Sequence, residues 1–272
     1  MPKRAQTDQK EHWGRVYTET EAFFGKGPSQ FARQSLEACR QAGVQSLLEL
    51  GPGQGRDTLF FAEAGLAVTA LDYTERSVKE IAAAAQQRGL ADLVAAQLHD
   101  VVEPLPFPDA SFDACYSHML LCMELTTAQI ASALREIHRV LKPGGLAFYS
   151  VRSTLDPHYR TGTHLGEDLY EVGPFVIHFL SEERIRALAH GFEMLELARL
   201  QEGSLPRDLF TVTLKKRAAV IPLPIIPEAK SMNDPMTSFQ AFFSATFGPG
   251  ALDGKVKHLV ALGVSLAVGC DS

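Results

Sequence analysis

The stretch ELGPGQGRD, Glu49 to Asp57, holds the densest group of residues in the chain whose types and spacing can do chemistry. Its pattern is Glu49-x-Gly51-x-Gly53-x-Gly55, and glycines two apart let a backbone come close to a ligand. The residues around them say what kind of ligand. A dinucleotide fingerprint counted from Gly51 needs its third glycine at position 56, where Arg56 stands. A phosphate-binding P-loop needs Gly-Lys where this chain has Arg56 and Asp57; Thr58 supplies the hydroxyl, but the lysine is missing. Glu49 would repel a pyrophosphate and attract a cation or an ammonium group. Asp72, after the apolar run Leu66–Leu71, is placed to accept from both hydroxyls of a ribose. Its neighbour Tyr73 suits the face of an adenine, and Asp100, after a third run, suits the adenine amino group.

A ligand with a ribose, an adenine, a positive charge and no phosphate is S-adenosylmethionine. Its α-amino group and sulfonium answer Glu49, and its carboxylate can accept from the helix N-terminus that opens near Gly55. A nicotinamide cofactor shares the Asp72 logic and leaves Glu49 unexplained.

Such residues need strands and helices to hold them. Val44–Leu50 reads as a buried parallel strand, Arg56–Gly65 as a helix, Leu66–Leu71 as a strand and Thr74–Arg88 as a helix capped by Gly89. Leu93–Leu98 and Phe112–Ser117 read as strands. Thr126–Leu141 is an amphipathic helix closed by Lys142-Pro143-Gly144-Gly145, and Leu146–Arg152 is a fifth strand. This alternation implies an α/β fold with a doubly wound, Rossmann-like sheet. Ser153–Ile177 reads as a long polar and aromatic loop, and Ser181–His190 as a helix. Two strands, 192–200 and 209–216, follow with a connection too short for a crossover, so they should form an antiparallel terminal hairpin. Residues 1–40 read as an N-terminal helical cap whose Trp13, Tyr17, Phe23, Phe24 and Phe31 either pack on the sheet or roof the cofactor.

LLELGPGQGRD, ALDYT, HDVVEPLPFPDASFDACYS and LREIHRVLKPGGLAFYSVR resemble, in order and spacing, the motifs of class I S-adenosylmethionine-dependent methyltransferases. Within that superfamily GQGRDTLFFAEAG resembles the tellurite-resistance and thiopurine-type small-molecule branch. The resemblance covers roughly residues 10–216. It implies cofactor contacts at Glu49, Gly51, Gly53, Gly55, Asp72, Tyr73, Asp100, Val101 and Ser117, and transfer of a methyl group to a small-molecule acceptor. Ligands of open α/β sheets sit beyond the carboxyl ends of the strands. The acceptor is therefore expected among Ser117–Leu125 and Ser153–Phe179, with His118, His164 and Tyr170 as the candidate catalytic residues. His118 also suits a scaffold histidine, and Arg152 can pair either an acidic acceptor or Asp156. His158, His164 and Glu167 match no helical or zinc-ribbon spacing, and no metal is expected.

The rest of the chain bounds these expectations. It has 272 residues, 46% of them hydrophobic, and a formal net charge of −6, which gives no general attraction to nucleic acid. The Asn/Asp-Pro-Pro-Tyr segment of amino-directed DNA methyltransferases is absent; Cys115-Tyr116-Ser117-His118 stands there. Four scattered cysteines, no apolar leader and no run long enough to span a bilayer point to a cytoplasmic protein without a membrane partner. The methyltransferase domain is placed at 1–217, a proline-rich linker at 218–235 and a helical segment at 236–272. That last segment resembles the start of a carboxymuconolactone decarboxylase or alkylhydroperoxidase D-type domain, and offers a surface for oligomerisation. It has Cys270 but neither the second cysteine nor the histidine of a dithiol site, as in a fragment of a longer fusion. Two further readings therefore stand beside the enzyme: the methyltransferase half of a redox-linked fusion, and a non-catalytic S-adenosylmethionine-binding module.

Overall fold

The computed structural model describes residues 8–20, 22–25, 27–203 and 207–217. The linker, the helical segment and Cys270 lie outside the described residues. Two helices, α1 (Gln9–Glu19) and α2 (Gln30–Ala42), lead into the alternation. It runs β1 (Ser46–Leu50), α3 (Arg56–Glu63), β2 (Ala67–Asp72), α4 (Glu75–Gln87), β3 (Val94–Leu98), β4 (Phe112–His118), α5 (Thr127–Val140) and β5 (Leu141–Arg152). Then come β6 (Thr163–Gly166), β7 (Leu169–Val172), β8 (Phe175–His178) and α6 (Glu182–Leu188). The hairpin of β9 (Phe192–Glu202) and β10 (Arg207–Lys216) closes the described chain.

Seven strands form one sheet in the order β3-β2-β1-β4-β5-β10-β9. The first five are parallel, and β10 pairs antiparallel with both β5 and β9. This is the expected doubly wound sheet with its terminal hairpin. Central β1 is apolar on both faces, as a strand covered by helices on each side must be: Leu47, Leu48 and Leu50 are essentially inaccessible. The helices start where side chains can cap them. Ser29, Thr74, Thr126 and Ser181 each accept from a first-turn amide, and Thr126 with Gln129 makes a reciprocal capping box. In α5, Ile130, Ala133, Leu134 and Ile137 fall on one buried stripe. Strand order reverses between β1 and β4, so their carboxyl ends open a crevice at the centre of the sheet.

Two sequence expectations change. Ser153–Ile177 is not all loop: β6, β7 and β8 form a separate three-stranded antiparallel sheet. Each strand has four residues, too few for alternation to show against the intervening Gly166 and Gly173 turns. Lys142–Gly145 is not a free-standing turn but the irregular first part of β5, where the register with β4 shifts between Phe112 and Ala114. The small sheet is tied to α1. Gln9 Nε2 donates to Pro174 O at 3.0 Å and Gln9 Oε1 accepts from Val176 N at 3.1 Å. The rings of His12 and Phe175 meet edge to face at 4.9 Å.

Gly55 shows how closely the first crossover is packed. Its φ is +81°, and a Cβ there would lie 2.6 Å from Cγ1 of buried Ile81 on α4. Gly55→Ala should therefore lower stability by about 1–3 kcal/mol, through left-handed strain and overpacking together. An unchanged urea midpoint in the variant would show that α3 and α4 give way at no cost.

Candidate active site

The crevice holds a cavity of about 480 Å³. Its floor is the turn after β1. The Gly51 N–H donates to Leu71 O at 2.9 Å, and φ at Gly51 is +69°. A Cβ on Gly51 would strike Leu120 Cβ at 2.9 Å, so a glycine here lets the loop after β4 close over the turn. Glu49 points into this floor from the end of β1. Its side chain is 2% exposed and accepts from Thr58 Oγ1 at 2.6 Å. Burial, followed by the charge of Asp57, pushes its carboxyl up to about 8 against the Thr58 hydrogen bond. A buried carboxyl in that condition is a socket for a cation: a positive ligand would restore the charged form.

Asp72, at the end of β2, stands beside it on the same floor. Oδ1 accepts from the Thr74 N–H at 2.8 Å and the Thr74 hydroxyl at 2.7 Å; Oδ2 accepts from Gly53 N–H at 3.2 Å. These bonds aim the carboxylate and leave lone pairs on both oxygens for a diol. Burial raises its pKa, and the Thr74 and Gly53 hydrogen bonds oppose that rise. Tyr73, Asp100 and Val101 line the next part of the wall. The Tyr73 hydroxyl donates to Gln9 O at 3.3 Å, and Asp100 Oδ1 accepts from Val102 N–H at 3.2 Å.

The roof comes from the N-terminal segment. Trp13, Tyr17 and Phe24 line the cavity, with Trp13 5.5 Å from Tyr17 and 5.9 Å from Phe24, ring to ring. Trp13 and Tyr17 are buried and also line the cavity, the placement that a roof over a ligand requires.

At the far end stands His118, directly after the core of β4. Nε2 lies 2.8 Å from Glu202 Oε2 and Nδ1 lies 2.7 Å from Ser150 Oγ. Burial pushes the Glu202 carboxyl up, but the His118 hydrogen bond and the charges of His118, Arg56 and Arg207 hold it down at about 2. An ionised Glu202 can only accept, so Nε2 carries a hydrogen. Nδ1 meets the Ser150 hydroxyl, whose oxygen also accepts from Met119 N–H at 3.0 Å. Ser150 is fully buried, so this Ser-His-Glu chain offers no accessible nucleophile. Both imidazole nitrogens are engaged, and His118 works here as an oriented wall group.

The structure thus gathers Glu49, Gly51, Gly53, Asp72, Tyr73, Asp100, Val101 and His118 on one cavity. Gly55 lies outside it as the left-handed residue ahead of α3. Ser117 is buried in β4, its hydroxyl without a partner among the described residues, and does not line the cavity. His164 and Tyr170 face each other across β6 and β7, with ring centres 4.8 Å apart, and do not line it either. His164 Nε2 contacts Glu167 O at 2.8 Å, the Glu167 carboxylate takes the Thr127 N–H at 2.9 Å, and His158 sits beside Asp156. Arg152 is settled as a structural pair: it donates twice to Asp156, at 2.7 Å each, under the ring of Phe179. Leu120, within the expected Ser117–Leu125 stretch, lines the cavity; sequence reasoning missed Gln9, Lys10 and His99 as lining residues, and missed Glu202 altogether.

With this geometry in place, comparison with known proteins agrees with it. Residues 48–149 match the family model described as a methyltransferase domain. An uncharacterised methyltransferase of Synechocystis is 31% identical over 120 residues, 44% of this chain and 53% of that protein. The malonyl-[acyl-carrier protein] O-methyltransferase of Erwinia pyrifoliae is 35% identical over 123 residues, 44% of this chain and 42% of that protein. The chain therefore spans about half the length of these curated relatives. The Burkholderia thailandensis 1,6-didemethyltoxoflavin-N1-methyltransferase superposes with a TM-score of 0.57 at 22% identity, over 79% of this chain and 94% of that one. The fold is that of these methyltransferases, and residues 48–149 match the methyltransferase domain.

The Glu49 carboxyl gives a test that needs no ligand. Its pKa in the folded protein, about 8, lies above the ordinary 4.5. Between those values the folded chain keeps a proton that the unfolded chain has lost, so stability falls as pH rises through this window. Glu49→Gln removes the titration. The variant should gain on wild type by a few kcal/mol, in order of magnitude, between pH 5 and pH 9. A stability difference that is the same at both ends would mean that Glu49 ionises normally.

Proposed function

We propose that the chain is an S-adenosylmethionine-dependent methyltransferase acting on a small-molecule acceptor. The observation that carries this is the joint placement of Glu49 and Asp72 on one cavity floor, a cation socket beside a diol acceptor. Glu49 takes the α-amino group, Asp72 the ribose hydroxyls, and Tyr73, Asp100 and Val101 frame the adenine. The methyl group is then directed toward His118, Met119 and Phe24. Displacement at a sulfonium needs little beyond alignment in a dry pocket, and the Trp13–Tyr17–Phe24 roof supplies the dryness.

The names of the relatives span acceptors as different as malonyl-[acyl-carrier protein] and 1,6-didemethyltoxoflavin, so they support methyl transfer and not one acceptor. The proposal keeps the tellurite-resistance and thiopurine-type branch, on the strength of GQGRDTLFFAEAG, and a domain ending near residue 217. It keeps a cytoplasmic setting too: Cys39, Cys115 and Cys122 are buried free thiols, raised by burial. No helix among the described residues is long and apolar enough to cross a membrane.

Calorimetry tests the core of the proposal. S-adenosylmethionine should bind and NAD should not. Because the ammonium group favours ionised Glu49, binding at pH 7 should release protons, and its heat should vary with buffer ionisation enthalpy. Asp72→Asn should weaken binding about 10–100-fold through loss of a charged hydrogen-bond partner. No heat with S-adenosylmethionine, or tighter binding of NAD, would sink the assignment.

A further inference from the structure

Two guanidinium groups lie against the ring of Phe24, Arg56 in the lining of the cavity and Arg207 outside it. Arg56 lines it, donating from Nη1 to Phe24 O and from Nη2 to Glu202 Oε1 at 3.3 Å, with Nε 3.8 Å from Asp57 Oδ1. Arg207, at the start of β10, lies behind two lining residues: its guanidinium is 5.8 Å from the centre of the Phe24 ring, and Nη1 is 4.0 Å from Met119 Sδ. Arg56 is also 5.8 Å from the Phe24 ring centre. The two arginines have very different surroundings. Arg56 has Glu202 and Asp57 within ion-pair distance, and Asp57 is itself held by Ser29 and Tyr116. Arg207 has no carboxylate within that distance among the described residues, and its one side-chain hydrogen bond there runs to a thioether, a weak acceptor.

The wider charge balance points the same way. Glu202 and Asp156 favour the charged form of Arg207, and Arg152 and Arg56 oppose it. Asp156 is already spent on Arg152, and Glu202 on Arg56 and His118. Arg207 is thus a half-buried cation with no carboxylate at ion-pair distance among the described residues. Burying a cation without a partner is costly, and a bidentate carboxylate is the ligand that best relieves it. Local space is kept for the guanidinium: a Cβ on Gly203 would fall 2.7 Å from Arg207 Nη2.

Resting on the methyltransferase reading of the cavity, we propose that Arg207 recognises a carboxylate on the methyl acceptor, with Arg56 and the His118–Glu202 pair forming the rim of that subsite. The chemistry is specific to a single negative charge. A phosphate dianion would put a second charge beside Glu202 and Asp57, which one surplus guanidinium cannot neutralise. A neutral acceptor would leave Arg207 uncompensated. The acceptor class is thus a small aryl or alkyl carboxylic acid, its apolar body against Trp13, Phe24 and Met119.

The only tryptophan in the chain is Trp13, so its fluorescence reports on this end of the cavity directly. The experiment loads the full chain with S-adenosylhomocysteine and titrates 3-phenylpropionate, 3-phenylpropionamide and 2-phenylethyl phosphate at millimolar concentrations. The carboxylate should bind about tenfold or more tightly than the amide or the phosphate, as a charge-assisted pair requires. Arg207→Gln should erase that preference, and Arg207→Lys should keep part of it, while the affinity for S-adenosylhomocysteine stays at the wild-type value in both. Undetectable carboxylate binding, equal binding of acid and amide, a preference for the phosphate, or a preference that survives Arg207→Gln would each overturn the subsite. Failure of the methyltransferase reading looks different, because S-adenosylhomocysteine itself would then not bind. If Arg207→Gln does not fold, as judged by circular dichroism and loss of that affinity, the wild-type comparison of acid, amide and phosphate decides alone.

Discussion

A carboxyl group buried at the end of the central strand is the constraint around which this domain is built. Glu49 has the Thr58 hydroxyl as its hydrogen-bond donor and the Asp57 charge as a neighbour, and burial keeps it protonated well above the ordinary range. An apolar residue would cost the empty fold less at this position. The arrangement makes physical sense once a cation enters, since the desolvation already suffered by Glu49 then becomes attraction at short range in a medium of low dielectric. The glycines serve that end. Gly51 lets Leu120 close over the turn, and Gly55 lets α4 press Ile81 against the start of α3. The first shapes the floor of the cavity, and the second packs the crossover beneath it.

A second consequence concerns the roof. Helix α1 has few apolar residues of its own, and it holds its place by contacts distant in sequence. Gln9 bonds twice to the β7–β8 region, His12 and Trp13 pack on Phe175, and Tyr73 donates back to Gln9. The three-stranded sheet is thus a buttress for the roof. It contributes no lining residue, which explains why a segment rich in His and Tyr can lie near a cavity and stay out of it. His12 itself is buried with neither ring nitrogen partnered among the described residues, and burial lowers its pKa, so the roof is built around a neutral imidazole.

Much of this was legible in the sequence, and the reasons differ by element. The inner parallel strands announce themselves as apolar runs ending by Glu49 and Asp72, because a strand buried on both faces has no alternation to hide and its chemistry collects at one end; edge strand β3, half-buried to exposed, gives a weaker run before Asp100. The terminal hairpin follows from a connection too short to be a crossover. The four-residue strands β6–β8 were not legible, since glycine turns break the run before any period is established. Glu202 was not legible at all. It approaches Arg56 across 146 residues of chain and His118 across 84, and nothing local marks a glutamate in a hairpin as the partner of either. Arg56 carried a signal of another kind: read first as the residue that excludes a dinucleotide, it proves to be a wall of the cavity and an anchor for Phe24.

The lining of the cavity carries charges of both signs, Glu49, Asp57, Asp72 and Asp100 with Lys10 and Arg56, under a roof of aromatic rings. That dry roof suits methyl transfer from a sulfonium for a reason independent of the acceptor's detailed shape. The sulfonium charge disperses toward the acceptor in the transition state, so water, which favours concentrated charge, slows the reaction, and a dry aromatic enclosure speeds it. A histidine with both nitrogens engaged fits the same design. The hydrogen bond of His118 to Glu202 holds that carboxylate, and through it Arg56, in place.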